Sequence, residues 1–137
     1  MKTPASVELI RSGELTDVVP YAYAAVAHDV ARLVFTAGAC PLDADGNTVA
    51  IGDVAGQAEQ VMANLQVALR AAGAGLGDVV KSTVYVAAQR QEDLLAAWEV
   101  VHRWFGEHDA PSTLLGVAVL GYSDQLVEVE AVAALRD

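Results

Sequence analysis

Between Asp53 and Gly73 apolar side chains recur with the spacing of a single helix face. They are Val54, Ala58, Val61, Met62, Leu65, Ala68, Leu69 and Ala72, while Gln57, Glu59, Gln60, Asn64, Gln66 and Arg70 fill the other positions. Asp53 offers a side-chain oxygen for the first free amides of a helix, and Gly73 suits the left-handed residue that stops one. A second helix is expected from about Glu92 to Phe105. Its apolar side carries Leu94, Leu95, Trp98, Val101, His102 and Phe105, its first turn holds Glu92 and Asp93 where the helix dipole favours anions, and Gly106 follows its end. A helix with one greasy face has to lie on something.

The remaining apolar runs supply that support, because they are short and rich in β-branched or aromatic residues: 6–10, 23–28, 33–38, 79–87, 112–120 and 126–134. The second and third are separated by His28-Asp29-Val30-Ala31-Arg32, a hairpin-sized loop. The order is then β-β-β-α-β-α-β-β, an α+β layer with both helices on one face of the sheet. The run 112–120 carries Leu114, Gly116, Ala118 and Leu120 on one face and Leu115, Val117 and Val119 on the other. Two helices cover only one side of a sheet, and a monomer rarely exposes an apolar patch beyond a few hundred Å². A homo-oligomer is therefore expected.

With 137 residues the chain has the length of one domain, spanning 1–137. Eight Lys and Arg against 18 Asp and Glu leave a net charge of −10, which repels phosphate backbones and anionic membrane surfaces, so nucleic acid and membrane are poor partners. A lone cysteine, Cys40, forms no internal disulfide and fits a reducing compartment. No run approaches the roughly 18 apolar residues of a membrane span, so a soluble cytoplasmic protein is expected.

Few residues have chemistry that needs explaining. His28, His102 and His108 show no metal-ligand spacing with a cysteine or carboxylate, so no metal is expected. Cys40 lies at a strand end without a neighbouring His or Lys to activate it, and reads first as a small buried hydrophobe. Gly73, Gly75 and Gly77 follow a helix and lack the Lys-Ser/Thr ending of a phosphate loop, so they read as a flexible connection. Glu128 and Glu130 are the anomaly. They share a strand face with Val132, opposite Val127, Val129 and Ala131, and a mid-strand carboxylate pair must be solvated or partnered. On an edge they would be a wet face; lining a cleft, one could orient a water or accept a proton.

Several segments, taken together, resemble the RidA family, also called YjgF, the reactive-intermediate deaminases. They are Pro20-Tyr21, Thr36-Ala37-Gly38-Ala39-Cys40-Pro41-Leu42-Asp43, Asp53-Val54 with Gln57 and Asn64-Leu65, Asp78 through Val86, and Val127-Glu128-Val129-Glu130-Ala131-Val132-Ala133. The resemblance spans almost the whole chain in order. It implies a chorismate-mutase-like α+β fold, assembled as a homotrimeric barrel with a small-molecule cleft between each pair of subunits. It also implies hydrolysis of imines and enamines derived from amino acids, releasing ammonia without a cofactor.

Carried over residue by residue, the resemblance makes Tyr21 and Glu128 catalytic, with Glu128 orienting the water. It places Ala37, Gly38, Ser112 and Thr113 against the substrate, Gly38 through its backbone. The family's carboxylate-clamping arginine is missing: Ala110-Pro111-Ser112-Thr113 stands where the deaminase pattern reads Pro-Ala-Arg-Ser/Thr, so Ser112 occupies the arginine slot. The cleft serine is likewise replaced, by Ala37. A guanidinium gives a carboxylate two charge-assisted hydrogen bonds of about 1.5–3 kcal/mol each. Losing most of that weakens binding of a 2-imino acid by on the order of 10²-fold. Arg32 and Arg90 are the cations that could enter from another strand end, against the simpler reading that both are solvated. Two functions stay open at this level: hydrolysis of a neutral or weakly polar imine or carbonyl compound, and ligand binding or regulation without chemistry. Ribonuclease activity, also attached to the family name, is disfavoured by the scarcity of basic residues.

Overall fold

The computed structural model describes residues 6–137 and has the expected order of elements. Strand β1 is Val7–Ile10, β2 Ala24–Ala27 and β3 Arg32–Phe35. Helix α1 is Val54–Ala71, followed by a 3-10 turn at Leu76–Asp78 and strand β4 at Val79–Ala87. Helix α2 is Gln91–Phe105, and strands β5, Ser112–Val117, and β6, Val127–Leu135, complete the chain. The fold is α+β, with both helices on one face of the main sheet. No helix in the described residues is long and apolar enough to cross a membrane.

The helix ends form for the reasons their sequence suggests. Asp53 is extended at φ −117°, and its Oδ1 accepts the Gly56 amide at 3.0 Å. Gly73 at φ 85° and Gly106 at φ 64° take the left-handed backbone that ends α1 and α2. Met62, Leu65 and Leu69 of α1 are fully buried and pack with Ala97, Val100 and Val101 of α2 over Val84 and Val86 of β4 and Val127, Val129 and Ala133 of β6. Each large side chain of this set contributes about 1.5–3 kcal/mol of burial.

The strands differ from the sequence expectation in arrangement. They form two sheets: a two-stranded pair β1-β2, and a four-stranded sheet in the order β3-β6-β4-β5. The expected hairpin between β2 and β3 does not form. Residues 28–31 instead turn the chain through Asp29 at φ 53°, β2 pairs antiparallel with β1, and β3 pairs antiparallel with β6. Length did not decide that loop, because four residues join a hairpin or two separate sheets equally well. Strands β4 and β5 are parallel, which requires the α2 crossover between them, whereas β4 and β6 are antiparallel.

Two strands stop short of their apolar runs. Strand β5 leaves the ladder after Val117, and Val119 beyond it is 79 % exposed. Strand β3 ends at Phe35 because the register against β6 slips: Phe35 faces Val132, whereas Ala39 faces Val129, one residue more than regular pairing allows. Such an extra residue is a bulge, which bends a strand and re-aims its side chains. Leu33, Phe35 and Leu115, on the sheet face away from the helices, are exposed in the single chain.

Candidate functional site

The bulge after β3 determines what Glu128 meets. Glu128 lies opposite Tyr85 in the β4–β6 ladder, and both point to the helix-free face, since Val127 and Val129 on either side are buried in the core. Gly38, in the bulge, comes so close that a Cβ there would stand 2.3 Å from Oε2 of Glu128. With Glu128 placed as it is, only glycine fits, which is the close backbone approach that its lack of a side chain permits. Ala37 beside it is exposed.

Two donors reach the other carboxylate oxygen. The Cys40 thiol donates to Oε1 at 3.3 Å and the Gln125 amide donates to it at 3.1 Å. Cys40 is half-buried rather than a core residue, and burial, with the Glu128 carboxylate second, pushes its thiol up to about 11. It is a weak nucleophile here. Glu130, two residues along the same face, accepts the Tyr85 hydroxyl at 2.6 Å, and that bond to a carboxylate raises the phenol above its ordinary value. Phe35, Thr36, Lys81, Thr83 and Glu130 line a shallow depression of about 280 Å³ on this face.

A second, larger cleft of about 520 Å³ opens at the β5 edge, lined by Pro20, Tyr21, Leu95, Trp98, Ser112, Thr113 and Leu114. Its walls are aromatic. Tyr21 and Trp98 meet edge-to-face with ring centroids 6.3 Å apart, and Trp98 stacks on His102 at 6.0 Å. His102 is held in turn by Asp109, 3.2 Å from its Nε2, and Arg11 braces Asp109 at 3.1 Å. The Ser112 hydroxyl is engaged inside the protein: it shares a hydrogen bond with buried Ser82 and donates to the Ala110 carbonyl at 3.1 Å. Lys81 reaches Thr113 from the helix-free face, donating to its Oγ1 at 2.6 Å.

No Lys or Arg is among the residues that line this cleft. Arg32 donates to the Asp137 carbonyl and Arg90 pairs with Glu92 in solvent, so neither enters the cleft of its own chain. His28 lies 2.8 Å from Glu8 and His108 bonds the Val79 carbonyl, and no group of three His, Cys, Asp or Glu among the described residues could hold a metal ion.

The comparisons with known proteins agree with this architecture. The family model described as endoribonuclease L-PSP matches residues 14–135. The chain belongs to the RidA/YjgF family. A RutC family protein of Pyrococcus abyssi is 36 % identical over 76 % of this chain and 80 % of its own length. The 2-iminobutanoate/2-iminopropanoate deaminase of Salmonella typhimurium is 34 % identical over 79 % of this chain and 84 % of its own. The crystal structure of YyfB from Yersinia pestis, a Rid-family protein of unknown function, superposes with a TM-score of 0.89 at 30 % identity, covering 96 % of this chain and all of that one.

The six positions nominated by the RidA resemblance therefore fall into two groups. Tyr21, Ser112 and Thr113 share the edge cleft, whereas Ala37, Gly38 and Glu128 cluster at the bulge. The ladder separates them: Ser112 aligns with Ser82 and Ala131 on the helix side of the sheet, while Glu128 aligns with Tyr85 and Leu115 on the open side. Thr113, by contrast, aligns with Thr83 and Glu130 on the open side, so of the β5 pair only Ser112 faces away from Glu128. Sequence reasoning missed Gln125, and it read Trp98 and Leu95 as ordinary helix face; only their place opposite Tyr21 distinguishes them from core.

Proposed function

We propose that this RidA-family chain assembles as a homotrimer of single-domain subunits whose intersubunit clefts bind a neutral or weakly polar imine or carbonyl compound and hydrolyse the imine. Tyr21, Ser112 and Thr113 of one copy face Gly38 and Glu128 of the next. The separation of the Tyr21 cleft at the β5 edge from Gly38 and Glu128 at the bulge carries the reading, because it leaves each part without a catalytic complement until a second copy supplies it. The exposed Leu33, Phe35 and Leu115 offer the apolar contact for that copy.

Glu128 is the general base of this scheme. Its carboxylate takes a proton from water as the oxygen attacks the C=N carbon and the electron pair of that bond moves to nitrogen; the carboxyl returns this proton to nitrogen, giving the carbinolamine, then takes the hydroxyl proton and delivers it to the amine as the C–N bond breaks, so that ammonia leaves and a carbonyl remains. Tyr21 supplies an O–H to the substrate, and the Gly38 backbone lets it approach closely. The aromatic wall of Tyr21 and Trp98 suits an apolar substituent. Since Ser112 stands in the arginine slot and spends its hydroxyl on Ser82 and Ala110, a substrate carboxylate finds no guanidinium there, only the single ammonium of Lys81 already bonded to Thr113, and 2-imino acids are poor substrates.

The test supplies purified protein with imines made in place by an amine oxidase or an amino-acid oxidase and follows ammonia. Hydrolysis of uncharged imines above the buffer rate, lost in Glu128→Gln, supports the reading. Ser112→Arg should raise kcat/KM for a 2-imino acid by on the order of 10²-fold. Ligand binding without acceleration of any imine would instead favour the non-catalytic alternative. The nuclease in the family's name is a poor fit to a net charge of −10.

A further inference from the structure

Gln125 is 4 % exposed, and both ends of its side-chain amide are in use. Its Oε1 accepts the Tyr122 amide at 3.1 Å, while its Nε2 donates to the Val127 carbonyl at 3.1 Å and to Glu128 Oε1 at 3.1 Å. An amide has one accepting and one donating end. Turning this one over would set its carbonyl against two acceptors and its amino group against an N–H, so the neighbours fix its orientation. The turn that carries it is fixed as well. The Gln125 amide donates to the Tyr122 carbonyl, and wholly buried Gln57 of α1 donates to the Asp124 carbonyl at 2.9 Å and accepts the Leu126 amide at 2.7 Å. Thr48 donates to the Ser123 carbonyl at 2.8 Å.

The Cys40 thiol, whose one proton is shared between the Gly38 carbonyl at 3.4 Å and the same Oε1 at 3.3 Å, adds to this contact, whereas Oε2 lies over the Gly38 backbone. A glutamate carboxyl otherwise rotates broadly about its last bond. Two donors on one oxygen and a glycine under the other remove that freedom, and a base is effective only within a narrow range of positions.

We infer that Gln125, with Cys40 beside it, is a positioning residue that clamps Oε1 of Glu128 and presents Oε2 at the Gly38 bulge. Its catalytic meaning rests on the hydrolytic reading proposed above, and its geometry is testable without it.

Gln125→Met keeps length and removes the donor, and Gln125→Asn, which keeps an amide but shortens its reach, serves if the methionine variant does not fold. The first readout is the pH midpoint of Cys40 alkylation. Burial and Glu128 hold the thiol up near 11, whereas the contact with Gln125 lowers it. Loss of Gln125 removes that lowering contact and leaves the thiol as the remaining side-chain donor to Glu128, so the midpoint should rise further, and the rise should shrink when Glu128→Gln is already present. The second readout is imine hydrolysis, where kcat should drop about tenfold with KM changed less than about twofold. Cys40→Ser, which retains a donor, should keep more of kcat than Cys40→Val. A midpoint that stays put or falls in the Gln125 variant, or that rises equally without Glu128, overturns the clamp. If the midpoint behaves as expected but the native protein accelerates no imine, the clamp stands and the hydrolytic reading fails.

Discussion

A methyl group on Gly38 would have to share space with the Glu128 carboxyl, and the backbone on which both sit is pinned by the Ala39–Val129 bridge. The side chain must give way. Gly38→Ala should lower stability by about 1–3 kcal/mol, as overpacking does, and should abolish imine hydrolysis; thermal unfolding and ammonia release check the two effects separately. Cys40 adds a signature in pH. Its thiol is raised to about 11 in the folded chain against an ordinary 9.0, so the folded state holds the proton longer than the unfolded one. The stability this contributes is fully present below pH 9.0 and is lost as pH rises through 11. Unfolding free energy measured by denaturant titration should decline over that window, and Cys40→Ala should flatten the decline.

At the scale of elements, periodicity located what it could reach. Both helices, the Asp53 cap and the stops at Gly73 and Gly106 were legible because local chemistry decides them: the Asp53 carboxylate meets the Gly56 amide whatever lies elsewhere. Asp53→Ala should cost about 1 kcal/mol, read as a drop in the urea midpoint with the slope unchanged. The partners of the strands were not legible. Four residues between β2 and β3 suit a hairpin, yet β3 pairs with β6 from the far end of the chain, a contact with no local cue. The same holds for the bulge at 36–38, which arises from a register difference between two strands distant in sequence. Glu128 stood out because a carboxylate in an apolar strand demands a reason. Gln125 did not, since a glutamine in a turn is unremarkable until its three hydrogen bonds are seen.

For the whole molecule, one sheet has a face covered by helices and a face carrying Leu33, Phe35 and Leu115 in the open, and the two halves of the candidate site lie apart on it, one at the β5 edge and one at the bulge beside β6. Association of copies solves both problems together by covering the apolar face and joining the halves. The acidic charge suits a partner that is another copy held by apolar contact rather than a polyanion. The most direct test mixes two inactive variants, Glu128→Gln and Tyr21→Phe, unfolds them together and refolds them as mixed assemblies. If Tyr21 of one copy works with Glu128 of the next, about a quarter of the clefts regain both native residues and ammonia release returns to about that fraction of the native rate. A mixture as inactive as its parents would contradict the shared site.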